Sequence, residues 1–189
     1  LEEVRARLDI PVVGTVPAIK PAAAESKSGV IGLLATPGTI RRAYTARLIE
    51  EFASNVTVIL HGSVELVRLA EAFAVGERYD PAGFGKAQDP IFQAKAGDQV
   101  DTIVLACTHF PLVRDQLSAA APRPVRYIDS GAAIARQTMR VLGATEADAG
   151  EAVSGRLYVT GAPKAHQRLI KVCKRFGFDA VQPVVTVNT

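Results

Sequence analysis

The segment Thr102-Ile-Val-Leu-Ala-Cys-Thr-His-Phe-Pro-Leu112 carries the most informative pattern in this chain. Its first residues are β-branched or otherwise apolar, which is typical of a buried strand. A turn with reactive and polar side chains follows, and Pro111 suits the first position of a helix. A buried strand that leads through a short turn into a helix predicts an α/β fold with mostly parallel strands.

Comparable strand-and-helix units extend over the rest of the sequence. The predicted strands are residues 11–16, 30–36, 56–60, 102–107, 125–128, 156–160 and 180–185. Segments with an apolar residue every three or four positions predict helices that begin near Thr39, Ser63, Pro111, Ser130 and Pro163. Two stretches interrupt this pattern: residues 76–99 are predicted to be a surface loop, and residues 143–155 a linker.

Composition limits the class of protein. The 189 residues are 48% hydrophobic and 22% charged, which is typical of a globular protein with one domain or two small lobes. The longest apolar run, Ile103 to Cys107, is far shorter than the ~20 residues that cross a bilayer, so no membrane partner is expected. The net charge is only +3 and the chain contains no Trp, which argues against nucleic acid as a partner. Two cysteines make no disulfide framework, so a reducing cytoplasm is predicted.

The start of the chain is also informative. Leu1, Val4 and Leu8 have helical spacing, but no capping residue precedes them. We therefore expect the chain to begin inside a helix and to lack an N-terminal portion. The alternative is a processed protein with a frayed terminal helix.

In parallel α/β sheets, ligands bind beyond the carboxyl ends of the strands. Four turns follow predicted strands and carry polar side chains: residues 36–39, 61–63, 107–109 and 129–131. Thr36 to Thr39 offers hydroxyl and N–H groups that suit a carboxylate or phosphate, although a generic turn explains it as well. Asp129 to Gly131 is interpreted as a helix cap rather than a ligand contact.

Cys107 has two interpretations. Its place between a strand and a helix N-terminus favours the reactive thiolate, yet free cysteines are often buried core residues, and position alone leaves both open. His109 is close enough to exchange protons, without an assignable role. Cys173 lies on the apolar stripe of its helix and is predicted to pack in the core. The motifs of dinucleotide-binding proteins, zinc proteases and serine hydrolases do not occur in the sequence.

Taken together, four strings resemble those of the glutamate racemase family, within the Asp/Glu racemase superfamily. They are Pro11-Val-Val-Gly-Thr-Val-Pro-Ala-Ile-Lys-Pro-Ala22, Gly32-Leu-Leu-Ala-Thr-Pro-Gly-Thr39, Leu105-Ala-Cys-Thr-His-Phe-Pro-Leu112 and Asp129-Ser-Gly-Ala-Ala-Ile-Ala135. Each string is weak alone, but all four occur in the order of the family.

The resemblance implies two α/β lobes that face each other across a cleft, with one cysteine from each lobe on opposite sides of glutamate. Cys107 matches the second cysteine, which takes the α-proton of L-glutamate, and His109 assists it. Thr108, Thr39 and Glu71 are implied as substrate-binding residues. The resemblance further implies a cytoplasmic, metal-free and cofactor-free isomerase that supplies D-glutamate for peptidoglycan, with a homodimer possible.

The family's opening third, which carries the first catalytic cysteine, has no counterpart here. We therefore expect residues 1–14 to be a remnant of the first lobe, residues 15–128 to form the second α/β lobe, and residues 129–189 to return to the first lobe. This expected fold is a parallel-sheet lobe plus the C-terminal part of a second, incomplete α/β lobe, and the chain alone should be inactive. The alternatives are an aspartate racemase, in which Glu usually stands where this chain has His109, and a non-catalytic binding relative.

Overall fold

The computed structural model describes residues 2–143, 155–159, 169–170, 172–174 and 176–184. Its largest element is a four-stranded sheet of β1 (Val30–Ala35), β2 (Thr57–Gly62), β3 (Thr102–Leu105) and β4 (Arg126–Ile128). The order is β2–β1–β3–β4 and every pair is parallel. A second parallel pair consists of β5 (Gly155–Val159) and β6 (Phe178–Pro183). These strands confirm the predicted parallel α/β class.

Helices connect the strands of the larger sheet and flank it. The α-helices are α1 (Glu2–Arg7), α2 (Ile19–Glu25), α3 (Pro37–Ile40), α4 (Ala43–Phe52), α5 (Glu65–Val75), α6 (Ala82–Gln93), α7 (Arg114–Ala120) and α8 (Gly131–Leu142). Short 3₁₀ helices cover Gly97–Gln99 and Phe110–Val113. Within the described residues, none of the helices is long and apolar enough to cross a membrane.

Both faces of the four-stranded sheet are covered, which explains why β1 and β3 are continuous apolar runs. On one face Ile31 and Leu33 pack with Ile19 of α2 and Leu48 of α4. On the other face the side chains of β1 and β3 pack with α5, α6 and α7, and this second core includes Leu34, Ile103, Leu66, Phe84, Ile91 and Leu117. A strand that is buried on both faces cannot show the alternating pattern of a half-exposed one.

The prediction of a surface loop over residues 76–99 is wrong, because α6 and the 3₁₀ helix Gly97–Gln99 lie there. Phe84, Ala87, Gln88 and Ile91 are buried at helical spacing on one face of α6. One of the glycines that suggested a loop contributes to helix packing instead. A Cβ atom at Gly83 would lie 2.9 Å from the Leu69 side chain, so glycine lets α6 approach α5 closely.

A buried polar cluster fixes α6 to the rest of the core. The Tyr127 hydroxyl donates to Gln88 Oε1 at 2.5 Å, and Gln88 Nε2 donates to the Leu117 carbonyl at 2.8 Å. Burial raises the pKa of the Tyr127 phenol, although its hydrogen bond with Gln88 acts in the opposite direction. Tyr127 therefore stays a neutral donor that joins β4 to α6.

The predicted strand over residues 11–16 is also wrong, because this segment is irregular. Side chains, rather than a neighbouring strand, bind its carbonyl groups. The Arg5 guanidinium donates to the Val12 carbonyl at 3.2 Å, and the Ser130 hydroxyl donates to the Val16 carbonyl. Prolines at 11 and 17 have no N–H for a sheet ladder.

Three predicted helix starts are close to the observed ones, and one needs correction. The Ser63 hydroxyl accepts from Leu66 N–H at 3.0 Å, and Pro111 is the second residue of the 3₁₀ helix that precedes α7. Helix α8 begins after Ser130, and Gly143 ends it in the left-handed region at φ 65°. Thr39 is not a cap. Thr36 caps the short α3 instead, and a separate helix, α4, begins at Ala43.

The C-terminal part is only partly described. Residues 169–170 and 172–174 are helical, Cys173 is buried as predicted, and Gly177 follows with φ 78°. The predicted helix start at Pro163 and the interior of the predicted linker 143–155 lie outside the described residues.

Asp101 anchors the turn that leads into β1. Its carboxylate accepts from Ser26 Oγ at 2.8 Å, from Lys27 N–H at 2.7 Å and from Ser28 N–H at 2.8 Å. Burial raises the pKa of this carboxyl, but hydrogen bonds from Ser28, Ser26, Thr102 and Lys27 together outweigh burial and hold the pKa at about 2. The charged form is therefore favoured in the folded protein.

We expect Asp101→Asn to lower the free energy of unfolding by about 1–2 kcal/mol at pH 7. The depressed pKa means that the wild-type carboxylate contributes its stability above about pH 4 and loses it as pH falls towards 2. The difference between wild type and variant should therefore shrink on acidification. Urea unfolding at pH 7 and pH 3 measures it, with Asp98→Asn at an exposed carboxylate as the matched control. A difference that is constant with pH would contradict the prediction.

Candidate active site

A cavity of about 610 Å³ lies at the carboxyl edge of the four-stranded sheet. Three of the predicted turns meet there, because parallel strands all end at the same edge. The cavity is lined by Thr15, Val16, Pro17, Thr36, Thr39, Arg42, Val67, Leu105, Ala106, Cys107, Thr108, His109, Pro111, Asp129, Ser130, Gly131 and Ile134. Its wall contains both hydrocarbon and polar groups, as in sites for small molecules.

Cys107 lies two residues after the end of β3, at the boundary between the core and the cavity. Its side chain packs partly against the apolar core and is half-buried, and it also lines the cavity. The sequence was compatible with a fully buried core thiol at Cys107. The structure contradicts this interpretation, because the thiol is half-buried and lines the cavity. Among the described residues, no acceptor binds the backbone N–H groups of Thr108 and His109, which leaves these donors for an anionic ligand.

Cys107, His109 and Glu71 form a chain of contacts. Cys107 Sγ lies 3.7 Å from His109 Nδ1, and His109 Nε2 lies 3.2 Å from Glu71 Oε1. When Nε2–H of His109 donates a hydrogen bond to the Glu71 carboxylate, the neutral imidazole presents the Nδ1 lone pair to the thiol. This arrangement of nucleophile, base and orienting carboxylate can move the thiol proton to the histidine.

Glu71 is positioned by α5 and is not part of the cavity wall. The carboxylate side chain is 62% exposed and its described contact is with His109. Direct contact between Glu71 and a substrate stays a prediction. The structure supports a positioning role through His109.

Thr39 and Thr36 lie side by side on the cavity wall. Their hydroxyl oxygens are 3.0 Å apart, and Thr39 N–H donates to Thr36 Oγ1 at 3.3 Å. The Thr45 hydroxyl donates a hydrogen bond to the Thr39 carbonyl at 2.7 Å. The turn is therefore fixed before any ligand enters.

Asp129 fixes the third turn. Its Oδ1 accepts from Gly131 N–H at 2.7 Å at the start of α8, whereas Ser130, the N-cap residue, makes no side-chain capping hydrogen bond, so the predicted cap is provided by Asp129. Its Oδ2 accepts from Arg114, so the carboxylate is already paired. Ser130 reaches the irregular segment through the Val16 carbonyl, and this contact brings residues 15–17 to the cavity.

The turn at residues 61–63 is not part of this cavity. Ser63 lines a separate cavity of about 450 Å³ between α5 and α6. Burial lowers the pKa of the His61 imidazole, and a hydrogen bond with the Ala87 backbone opposes this only in part.

Sequence patterns missed several cavity residues, of which Arg42 and Thr15 are the most polar. Arg42 follows a helix of one turn that the periodicity did not resolve, and Thr15 was assigned to a strand. In the described part of the chain, no group of three or more His, Cys, Asp or Glu side chains is arranged to hold a metal ion.

Comparison with known proteins assigns the chain to a family. The sequence model of the Asp/Glu/Hydantoin racemase family matches residues 1–138. The chain belongs to this family.

Within the family, the chain is similar to glutamate racemases. It is 39% identical to the glutamate racemase of Escherichia coli K12 over 188 residues, which cover 100% of this chain and 65% of that protein. The chain thus spans about two thirds of the length of the curated relatives it matches.

The solved structures that the chain resembles are also glutamate racemases. The crystal structure of Escherichia coli glutamate racemase, in complex with L-glutamate and the activator UDP-MurNAc-Ala, matches with TM-score 0.88 and 39% identity, over 100% of this chain and 70% of that one. A glutamate racemase isoform from Bacillus anthracis matches with TM-score 0.74 and 22% identity, over 98% and 68% of the two chains, and supports the fold alone.

Proposed function

We propose that this chain is part of a cofactor-independent glutamate racemase that interconverts L- and D-glutamate. The observation that carries the proposal is the contact chain from Glu71 through His109 to Cys107, which ends in a thiol at the wall of a substrate-sized cavity. Similarity to glutamate racemases supports glutamate as the substrate.

In this mechanism the Cys107 thiol gives its proton to His109 Nδ1, and Glu71 stabilises the imidazolium that forms. The thiolate then takes the α-proton of L-glutamate, and a second acid on the opposite face returns a proton to the same carbon. Inversion needs two such groups, because a single group would return the proton to the face it came from. We propose, as the resemblance implies, that the second group is a cysteine outside this chain.

The carbon acid is much weaker than a thiol, so a positioned base alone is insufficient. General-base catalysis contributes about 10²–10⁴-fold. The remainder must come from stabilising charge on the substrate carboxylate. The unpaired N–H groups of Thr108 and His109, together with the Thr108 hydroxyl, are suited to bind that carboxylate.

The division of the chain remains part of the proposal. Residues 15–128 would form one lobe, and residues 1–14 and 129–189 would belong to another. This is supported by the separate β5–β6 sheet and by α1 and α8, in which no residue is buried. A homodimer, a cytoplasmic location and a role in peptidoglycan synthesis are proposed on the resemblance.

The direct test is α-hydrogen exchange in deuterated water, starting from each enantiomer of glutamate, with the complete gene product that contains these residues. We expect deuterium at the α-carbon together with loss of optical activity from both enantiomers. Turnover of aspartate in place of glutamate would favour an aspartate racemase. Binding without exchange would favour a non-catalytic relative.

A further inference from the structure

The contacts of Cys107, His109 and Glu71 have the order of a nucleophile, a base and an orienting carboxylate. Cys107 Sγ lies 3.7 Å from His109 Nδ1, and His109 Nε2 lies 3.2 Å from Glu71 Oε1. Racemisation uses the thiolate only as a base. In Ser-His-Asp and Cys-His-Asn hydrolases, which occur on unrelated folds, the first of three such groups attacks a carbonyl carbon.

Hydrogen-bond donors for a carbonyl oxygen lie beside the thiol. Within the residues that the structure describes, no acceptor binds the N–H groups of Thr108 and His109, which follow Cys107 in the chain. In hydrolases whose nucleophile stands between a strand and a helix, the N–H of the next residue helps to stabilise the oxyanion. Cys107 has this position, between β3 and the 3₁₀ helix Phe110–Val113.

We propose that Cys107 also acts as a nucleophile, and that this site hydrolyses small thioesters and aryl esters through an acyl-cysteine intermediate. The cavity of about 610 Å³ has room for a small acyl compound, and the half-buried thiol of Cys107 lines it. The inference goes beyond the proposed function, since it needs neither glutamate nor a second acid on the opposite face. Sequence patterns did not indicate it, because the serine-hydrolase motif is absent and Glu71 belongs to a distant segment.

The groups of the site and one water molecule account for every step. His109 takes the thiol proton, and the thiolate bonds to the carbonyl carbon while the C=O electron pair moves to the oxygen. The carbonyl then re-forms and expels the thiolate or phenolate of the substrate, which takes the proton from His109. Water gives a proton to His109 as it attacks the acyl-cysteine, and the C–S bond breaks to return the thiol. The products are a carboxylic acid and a free thiol or phenol.

The leaving group decides which acyl compounds react. The tetrahedral intermediate expels the weaker of its two bases, and a cysteine thiolate, with a pKa of about 8.5 for the free thiol, is a much weaker base than an alkoxide. An alkyl ester should therefore return to the starting compounds. Thioesters and esters of acidic phenols should proceed to the acyl-cysteine.

The test follows the release of 4-nitrophenol from 4-nitrophenyl acetate by absorbance. It uses the complete gene product as wild type, Cys107→Ala, His109→Asn and Cys173→Ala. Cys173 is the matched control, because it is a cysteine that is 5% exposed in the core. Peptide mass spectrometry after an acid quench locates the acetyl group, and racemisation of glutamate is measured on the same four proteins.

We expect the wild type to release many equivalents of 4-nitrophenol, and Cys107→Ala to lose at least about 10-fold in rate, below the range of about 10²–10⁴-fold for a positioned base because the ester is a small model compound. His109→Asn should accumulate acetyl-Cys107, since deacylation loses its base, and Cys173→Ala should resemble wild type. Equal rates of wild type and Cys107→Ala, release that stops after one equivalent, or acetyl groups only at other residues would overturn the inference. Hydrolysis without racemisation would retain it and reject the racemase, whereas racemisation without hydrolysis would reject the inference alone.

Discussion

Replacement of Cys107 with alanine is expected to reduce racemisation of glutamate at least about 10³-fold, near the upper part of the range for loss of a positioned base. The effect should depend on the starting enantiomer. Deuterium exchange from L-glutamate should disappear, because Cys107 takes that proton. Exchange from D-glutamate should fall less, because the proton leaves from the opposite face. The measurement is α-hydrogen exchange by NMR with the complete gene product.

Cys173→Ala is the matched control for this experiment. Cys173 is the other cysteine of the chain and is 5% exposed in the core, so its loss affects packing rather than chemistry. We expect this variant to keep its racemisation rate per folded molecule. Cys107→Ala should unfold at nearly the wild-type temperature, since Cys107 is only half-buried. Racemisation retained by a folded Cys107→Ala variant would remove Cys107 from the mechanism.

Replacement of His109 with asparagine is expected to lower kcat by about 10²-fold, because the thiol loses its proton acceptor. The remaining activity should increase with pH, since the thiolate must then form without a neighbouring proton acceptor. The pH–rate profile between pH 6 and pH 10 measures this. A profile that keeps its wild-type shape would show that His109 does not receive the thiol proton.

Substitution of Glu71 tests the same chain of contacts at the end opposite to Cys107. Glu71→Gln should have a smaller effect than His109→Asn, and it should add little to His109→Asn in the double variant, because Glu71 acts through the histidine. Glu65→Gln is the matched control, since Glu65 lies on the same helix, is exposed and pairs with Arg68 instead. Independent effects of the two substitutions would contradict the coupling.

The strands were the most predictable part of the fold. The runs at residues 30–36 and 102–107 are apolar without alternation, which is the pattern of strands buried on both faces, and the structure confirms them as β1 and β3. The run at residues 11–16 looks similar but forms no strand. Its carbonyl groups bind the side chains of Arg5 and Ser130, and the apolar pattern of the segment encodes neither contact.

Helix α6 shows why glycine and proline can mislead. Pro81, Gly83 and Gly85 indicate a loop by composition, yet Phe84, Ala87 and Ile91 are buried in the core that the sheet provides. A side chain at Gly83 would require Leu69 to move, because a Cβ atom there would lie 2.9 Å from the Leu69 side chain. A close approach between two helices is a property of their packing, so it cannot be read from either segment alone.

By itself, the sequence determined the parallel α/β class and the position of Cys107, Thr108 and His109 after a buried strand, because hydrophobic periodicity and turn residues act over a few neighbouring positions. Only the tertiary structure decided that Glu71 lies beside His109, that Arg42 reaches the same cavity, and that α6 closes the core. These contacts join segments far apart in the chain, and their formation depends on the shape of the packed sheet and helices.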